Sequence, residues 1–90
     1  MQSEECMLHI LKTDPIPFQA VWNDEKHFEW RKNDRNYKVG DQLRLQEFNC
    51  ETLIWSGREI LATISYVLQD CYNIPSEYCI LSLTNISKKE

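Results

Sequence analysis

The sequence predicts an α+β domain that is mostly β: a small barrel or curled sheet of about five strands, with one short helix after the first strand. Three observations lead there. Ile60, Ala62, Ile64, Tyr66 and Leu68 alternate with polar positions in the longest period-2 run of the chain. A helix start, Asp14-Pro15, follows directly on a short apolar run. Both glycines and all three prolines fall where elements end, and nothing in the sequence reads as a repeat or a linker.

The elements follow in order. Met7 to Lys12 is a short apolar run containing His9 and fits a first strand. Asp14 caps free amide groups, Pro15 suits the first helical turn, and Phe18, Val21 and Trp22 give the helix one apolar face. His27 to Lys32 alternates, which predicts a half-buried strand with Phe28 and Trp30 toward the core and His27, Glu29 and Arg31 on the other side. Asn33 to Asn36 has turn chemistry, and Val39-Gly40-Asp41 is a second tight turn feeding a strand over Gln42 to Phe48. Asn49 to Gly57 returns the chain as a hairpin or short arm. The Ile60 to Leu68 strand comes next, then a loop from Asp70 to Glu77. Cys79, Leu81 and Leu83 line a closing strand.

At 90 residues the chain holds one hydrophobic core, so 1–90 is read as a single domain with polar tails at 1–5 and 85–90. A chain of this size buries only about 60 to 65% of the surface its unfolded form exposes, and a deep internal cavity would cost much of a marginal stability. Any site is therefore expected in a surface cleft.

No stretch approaches the roughly 20 apolar residues of a spanning helix, and the acidic start Gln2 to Glu5 is unlike a signal peptide, so a cytoplasmic protein without membrane attachment is expected. Cys6, Cys50, Cys71 and Cys79 form no Cys-x-x-Cys pair and have no histidine at metal-like spacing. They read as reduced thiols; no metal and no cofactor is expected. The net charge is −4, which argues against a general nucleic-acid binder, yet the segment Glu25 to Arg44 carries six cationic and four acidic residues.

Several segments resemble a family of small bacterial and phage proteins within the ASCH group. They are His9-Ile10-Leu11-Lys12, Glu25 through Arg35 (EKHFEWRKNDR), Val39-Gly40-Asp41, Gly57-Arg58-Glu59 and Tyr78 through Leu83. The resemblance implies a PUA-like β-barrel with a cleft beside the helix, lined by the Lys-x-x-Glu-x-Arg positions Lys26, Glu29 and Arg31, and a role around RNA, nucleotides or modified bases. His27, Trp30 and Leu53 depart from the family pattern; the hairpin often has glycine where Leu53 stands. Relatives that hydrolyse an acylated cytidine carry Lys-x-x-Thr where this chain has Lys26-x-x-Glu29, so that activity does not carry over.

Glu29 and Arg31 sit two apart on one strand face and would hold each other while reading a base or phosphate, since guanidinium makes planar, paired hydrogen bonds. The same pair also fits a surface ion pair worth about 0 to 1 kcal/mol. Lys26, placed in the helix-to-strand turn, is the candidate nucleophile or base with Glu29 as its partner acid; it equally fits a solvated turn residue. Lys32, Arg35, Lys38 and Arg44, with Tyr37 among them, form a basic and aromatic neighbourhood suited to single-stranded nucleic acid. His9 reads first as a satisfied core histidine, with its place in the matching first strand, beside Lys12, making both candidates for ligand contact. Trp55 is the tryptophan expected to be exposed, while Glu77 and Tyr78 would close the cleft from the far loop.

Three functional expectations follow: a binding module for RNA or a nucleotide-like ligand; an enzyme on a modified nucleoside or RNA strand, with Lys26 and Glu29 catalytic; and an accessory protein holding a protein partner through the Trp55 hairpin. Charge reversal at Glu29 would separate the first two.

Overall fold

The computed structural model describes residues 6–90, so the expected tail at 1–5 lies outside the described residues. The elements run β1 (Leu8–Thr13), α1 (Pro15–Trp22), β2 (Phe28–Lys32), β3 (Gln42–Asn49), β4 (Ile54–Leu68) and β5 (Tyr78–Lys89). All five strands belong to one sheet of order β1-β3-β4-β5-β2, curled into a half-barrel. β1 lies parallel to β3 and every other neighbouring pair is antiparallel. The mostly-β architecture with one short helix after the first strand is the one the sequence predicts. Among the described residues no helix is long and apolar enough to cross a membrane.

The concave side holds the core. Alternation puts Leu11 of β1, Leu43 and Leu45 of β3, Ile60, Ala62 and Ile64 of β4, and Cys79, Leu81 and Leu83 of β5 inside. The helix adds Phe18 and Val21, both fully buried, with Trp22 packed against them. Pro15 occupies the first helical turn as expected, but the Asp14 side chain makes no capping bond; its backbone carbonyl accepts from the Phe18 amide at 3.0 Å. At the other end Asp24 adopts φ 62, and the amides of Glu25 and Lys26 both donate to the Ala20 carbonyl. That turn folds Lys26 back toward the start of β2.

Bulges modify the expected strand faces. Between Ile64 and Tyr66 one extra β4 residue is accommodated, so Ile64 faces the core while Tyr66 is 58% exposed. Asn85 at φ 52 sits in a second bulge, beyond which β5 continues to pair with β4 through Lys89 opposite Glu59. The segment read as a polar C-terminal tail at 85–90 is therefore strand as far as Lys89. It pairs there with the stretch of β4 that also pairs with β3, and Ile86 packs against the core while its polar neighbours face solvent. A third irregularity, at Gly57 (φ 92), lets Arg58 donate to Glu47 and Gln19 and lie over the rings of Phe18 and Trp22. The Arg58 hydrogen bond holds the Glu47 carboxyl below its ordinary pKa against the opposing effect of burial.

His9 and Tyr37 lie in the core, 5% and 6% exposed, with their rings edge to face at 4.8 Å. The expectation of ligand contact at these two positions is corrected: β1 turns His9 inward, where its Nε2 meets Asp41 Oδ2 at 2.8 Å. Asp41 also accepts from the Met7 and Lys38 amides, and so ties β1 to the turn before β3. Burial alone would raise the Asp41 pKa, but the bonds from His9, Met7 and Lys38 favour the carboxylate and bring it below the ordinary value.

Two predictions follow. Stability contributed by ionised Asp41 is present above its unfolded pKa of about 3.9 and is lost as pH falls through the lower folded value. Urea unfolding from neutral pH downward should show wild type losing stability below about pH 4, while Asp41→Asn, weaker at neutrality, loses less of it. Leu53, at φ 60 and 71% exposed, holds a left-handed conformation that costs a side-chain-bearing residue about 1 kcal/mol. Leu53→Gly should therefore raise the melting temperature, and Leu53→Val should lower it.

Candidate functional site

β2 is an outer strand of the sheet, paired on one side with β5. Its register places Glu29 opposite Leu81 and Arg31 opposite Cys79, and residues directly opposite share a face. Since Leu81 and Cys79 are fully buried, Glu29 and Arg31 point inward. Phe28 and Trp30 are 44% and 48% exposed on the convex side. The expected orientation of this strand is thus reversed, and Trp30 is not a core residue. The physical reason is the position of β2: its inner face looks onto the gap between the two sheet edges, and that space is filled by an ion network.

Glu29 is 3% exposed. Its Oε1 accepts from Lys26 Nζ at 2.7 Å and its Oε2 from Arg31 Nε at 3.0 Å. Lys26 also donates to the Phe28 carbonyl at 2.6 Å, and Arg31 Nη2 donates to the Lys12 carbonyl at 3.0 Å and to Thr13 Oγ1 at 2.9 Å. Through Arg31 one edge strand, β2, holds the other, β1. Lys26 and Glu29, which strict strand parity would separate, meet because Lys26 lies in the turn before β2.

Over this network opens a cleft of about 540 Å³, lined by Lys12, Thr13, Lys26, Glu29, Trp30 and Arg31 together with Asp14, Pro17, Phe48 and Cys50. Three cations face two carboxylates in it. The Lys12 ammonium lies 4.8 Å from the Phe48 ring centre and 5.8 Å from that of Trp55, whose half-exposed ring is tilted against Phe48 at 4.5 Å. Trp30 packs at 5.8 Å on Tyr78, so Tyr78 reaches the cleft only through that ring. A thiol in a cleft invites a nucleophilic reading, but a hydrogen bond to the Asp14 carboxylate and the charge of that group hold the Cys50 pKa above its ordinary value.

Of the residues singled out in the sequence, Lys12, Lys26, Glu29 and Arg31 come together in the cleft. Lys32 and Arg35 do not line it: Lys32 points to the convex side of β2, and Arg35, 46% exposed, lies 4.0 Å from Asp34. Arg44 is on β3 beside Glu59 at 3.8 Å, so the expected basic neighbourhood is dispersed over distant strands. Thr13, Phe48 and Cys50 were not singled out. Thr13 had a signal, sharing the inward parity of His9 and Leu11; the other two become neighbours of Lys12 only through the parallel β1–β3 pairing, which no local pattern encodes. Among the described residues no three His, Cys, Asp or Glu side chains gather as metal ligands would.

Residues 8–83 match the family model described as a domain of unknown function, DUF3850. The chain belongs to that family. The match runs from the first residue of β1 into β5 and so takes in the whole of the cleft. No curated protein matches the chain.

Burial of Glu29 makes its removal costly, because Lys26 and Arg31, each about one-fifth exposed, would be left facing one another. Glu29→Ala should destabilise the domain by about 3 kcal/mol in urea unfolding. Lys26→Met, Glu29→Leu and Arg31→Met combined should recover much of that loss. Charge reversal at Glu29 would fail for the same reason, and is no clean probe of mechanism.

Proposed function

We propose that the domain is a binding module for a nucleotide unit, free or within an RNA strand, held in the cleft between β1 and β2. The observation that carries this reading is the state of Arg31 and Lys26: a buried carboxylate fixes both cations, yet neither is used up. Arg31 Nη1 makes no hydrogen bond among the described residues, and the Arg31 side chain is 22% exposed. Lys26 uses two of its three donors. A fixed guanidinium nitrogen, Nη1, beside an ammonium can donate to the oxygens of a phosphate. The aromatic sides, Trp30 and Phe48, supply faces for a base. A cleft of this size lies within the range that takes small ligands. The resemblance to ASCH domains, with their PUA-like barrels, supports the same reading, as analogy.

The enzyme alternative is less well supported. An ammonium donating to two acceptors offers no lone pair for attack, and each Glu29 oxygen already accepts from a cation that favours its ionised form.

The test is a titration of tryptophan fluorescence with each of the four ribonucleoside monophosphates at low and moderate salt. Saturable binding is expected, weakened about tenfold by Lys26→Gln and more modestly by Lys12→Ala. No saturable response to any of the four, or equal affinity in the variants, would overturn the assignment.

A further inference from the structure

The reversal of β2 leaves an uncovered surface. On the convex side three strands carry neighbouring rows: Phe28, Ser82 and Tyr66 in one, Trp30, Ile80 and Leu68 in the next, then Lys32 beside Tyr78. Phe28, Trp30 and Tyr66 are each between 44% and 58% exposed. The one helix packs on the concave side, where Phe18 and Val21 are buried, and covers none of this face.

We infer that this convex face of β2, β5 and β4 is a stacking track for single-stranded nucleic acid, with one nucleotide of the strand seated in the cleft and its neighbours lying on Trp30, Phe28 and Tyr66. The inference rests on the cleft reading and extends it from a single nucleotide to a strand. Three features favour this occupant. First, the exposed large side chains are mainly aromatic: Phe28 and Trp30 stand about 7 Å apart along β2, and Tyr66 lies across β5 about 10 Å from Phe28, spacings that successive and next-but-one bases of an extended strand can follow. Second, charge is complementary to a polyanion: in a chain of net charge −4 these rows contain no carboxylate. A lysine stands at either end, Lys32 in the last row and Lys26 with its ammonium 4.8 Å from the Phe28 ring centre. Third, track and cleft are continuous, because Trp30 both lines the cleft and packs on Tyr78. A bare apolar docking face for protein accounts for the rings, but not for the missing carboxylates or the junction with the cleft.

The experiment compares 5′-labelled hexamers of RNA and of DNA, by fluorescence anisotropy, with ribonucleoside monophosphates titrated by tryptophan fluorescence. Tyr66 is outside the cleft, so Tyr66→Ala probes the track alone; Tyr66→Thr, a better strand former, serves where alanine weakens β4. The expected result is a hexamer bound at least tenfold more tightly than any monophosphate. Either Tyr66 variant should weaken the hexamer about fivefold or more while leaving monophosphate binding unchanged. Lys32→Gln should reduce the log-log salt slope for the hexamer by about 0.7. Preference between RNA and DNA identifies which strand is the ligand. A hexamer bound no better than a monophosphate, or indifferent to Tyr66, overturns the track and leaves the cleft reading standing; failure of both ligand types overturns the two together. A concentration-dependent dimer in sedimentation that Tyr66→Ala dissociates would assign the face to a second copy of the chain and overturn the proposal.

Discussion

The buried carboxylate of Glu29 stands where the two outer strands of the sheet approach one another, and the site depends on how that gap is bridged. With the order β1-β3-β4-β5-β2, closing the barrel would require β1 to pair with β2. No such ladder forms. A single guanidinium spans the gap, donating from Arg31 to the Lys12 carbonyl and the Thr13 hydroxyl while Glu29 holds it from behind. A backbone ladder would have closed the seam with its polar groups paired; a side-chain bridge leaves a polar opening beside it. That opening is the cleft, and a domain too small for an internal cavity obtains a concave site in this way. Burial of an ion network is poor evidence of stability for its own sake, since an apolar filling often does as well. In the seam it also fixes Lys26 and Arg31 beside the opening.

A second charged lock holds the helix. At eight residues α1 is shorter than isolated helices that persist in water, so its position comes from tertiary contacts. Arg58 provides them from the β3–β4 arm, lying over Phe18 and Trp22 while bonding to Glu47 and Gln19. The bulge at Gly57 makes this geometry available, and Ser56 adds a third bond to the assembly through Glu47. With α1 held, the turn after it has a defined path, and Lys26 is delivered to Glu29 across the helix-to-strand turn. The two locks therefore act in series: Arg58 positions the helix, and the helix positions the lysine.

Much of this was legible from residue patterns, and each failure has a physical cause. Alternation located the core-lining parts of β4 and β5, Ile60 to Ile64 and Cys79 to Leu83, because their inward residues are apolar. The same rule misplaced Phe28 and Trp30. A period of two states that a strand has two different faces; assigning the apolar one inward assumes that an apolar core lies there. At an edge strand beside an open seam the assumption fails, and the inward face is the charged one. Tyr66 escaped for a related reason, since one bulged residue reverses every position after it and leaves no mark in the spacing. The cleft's other side was beyond local reading: Phe48 meets Lys12 only because β1 and β3 run parallel, a pairing made across about thirty residues of intervening chain.

The two faces of β2 are consequences of one register. Pairing Glu29 with Leu81 buries the carboxylate and, through the same pleat, turns Phe28 and Trp30 outward. A slip of one residue would place two aromatic rings in the seam and expel Glu29, giving a more apolar interior with no anchored cations and no exposed rings. Hydrophobic burial alone favours that slipped arrangement. What opposes it is the set of directed bonds available in the observed register: two to Glu29 from Lys26 and Arg31, and two from Arg31 to β1. The register is thus held by the polar groups that line the cleft. Substitutions that weaken the network act on the fold and on both faces of the strand together, so an effect on ligand binding is informative only where the melt is unchanged.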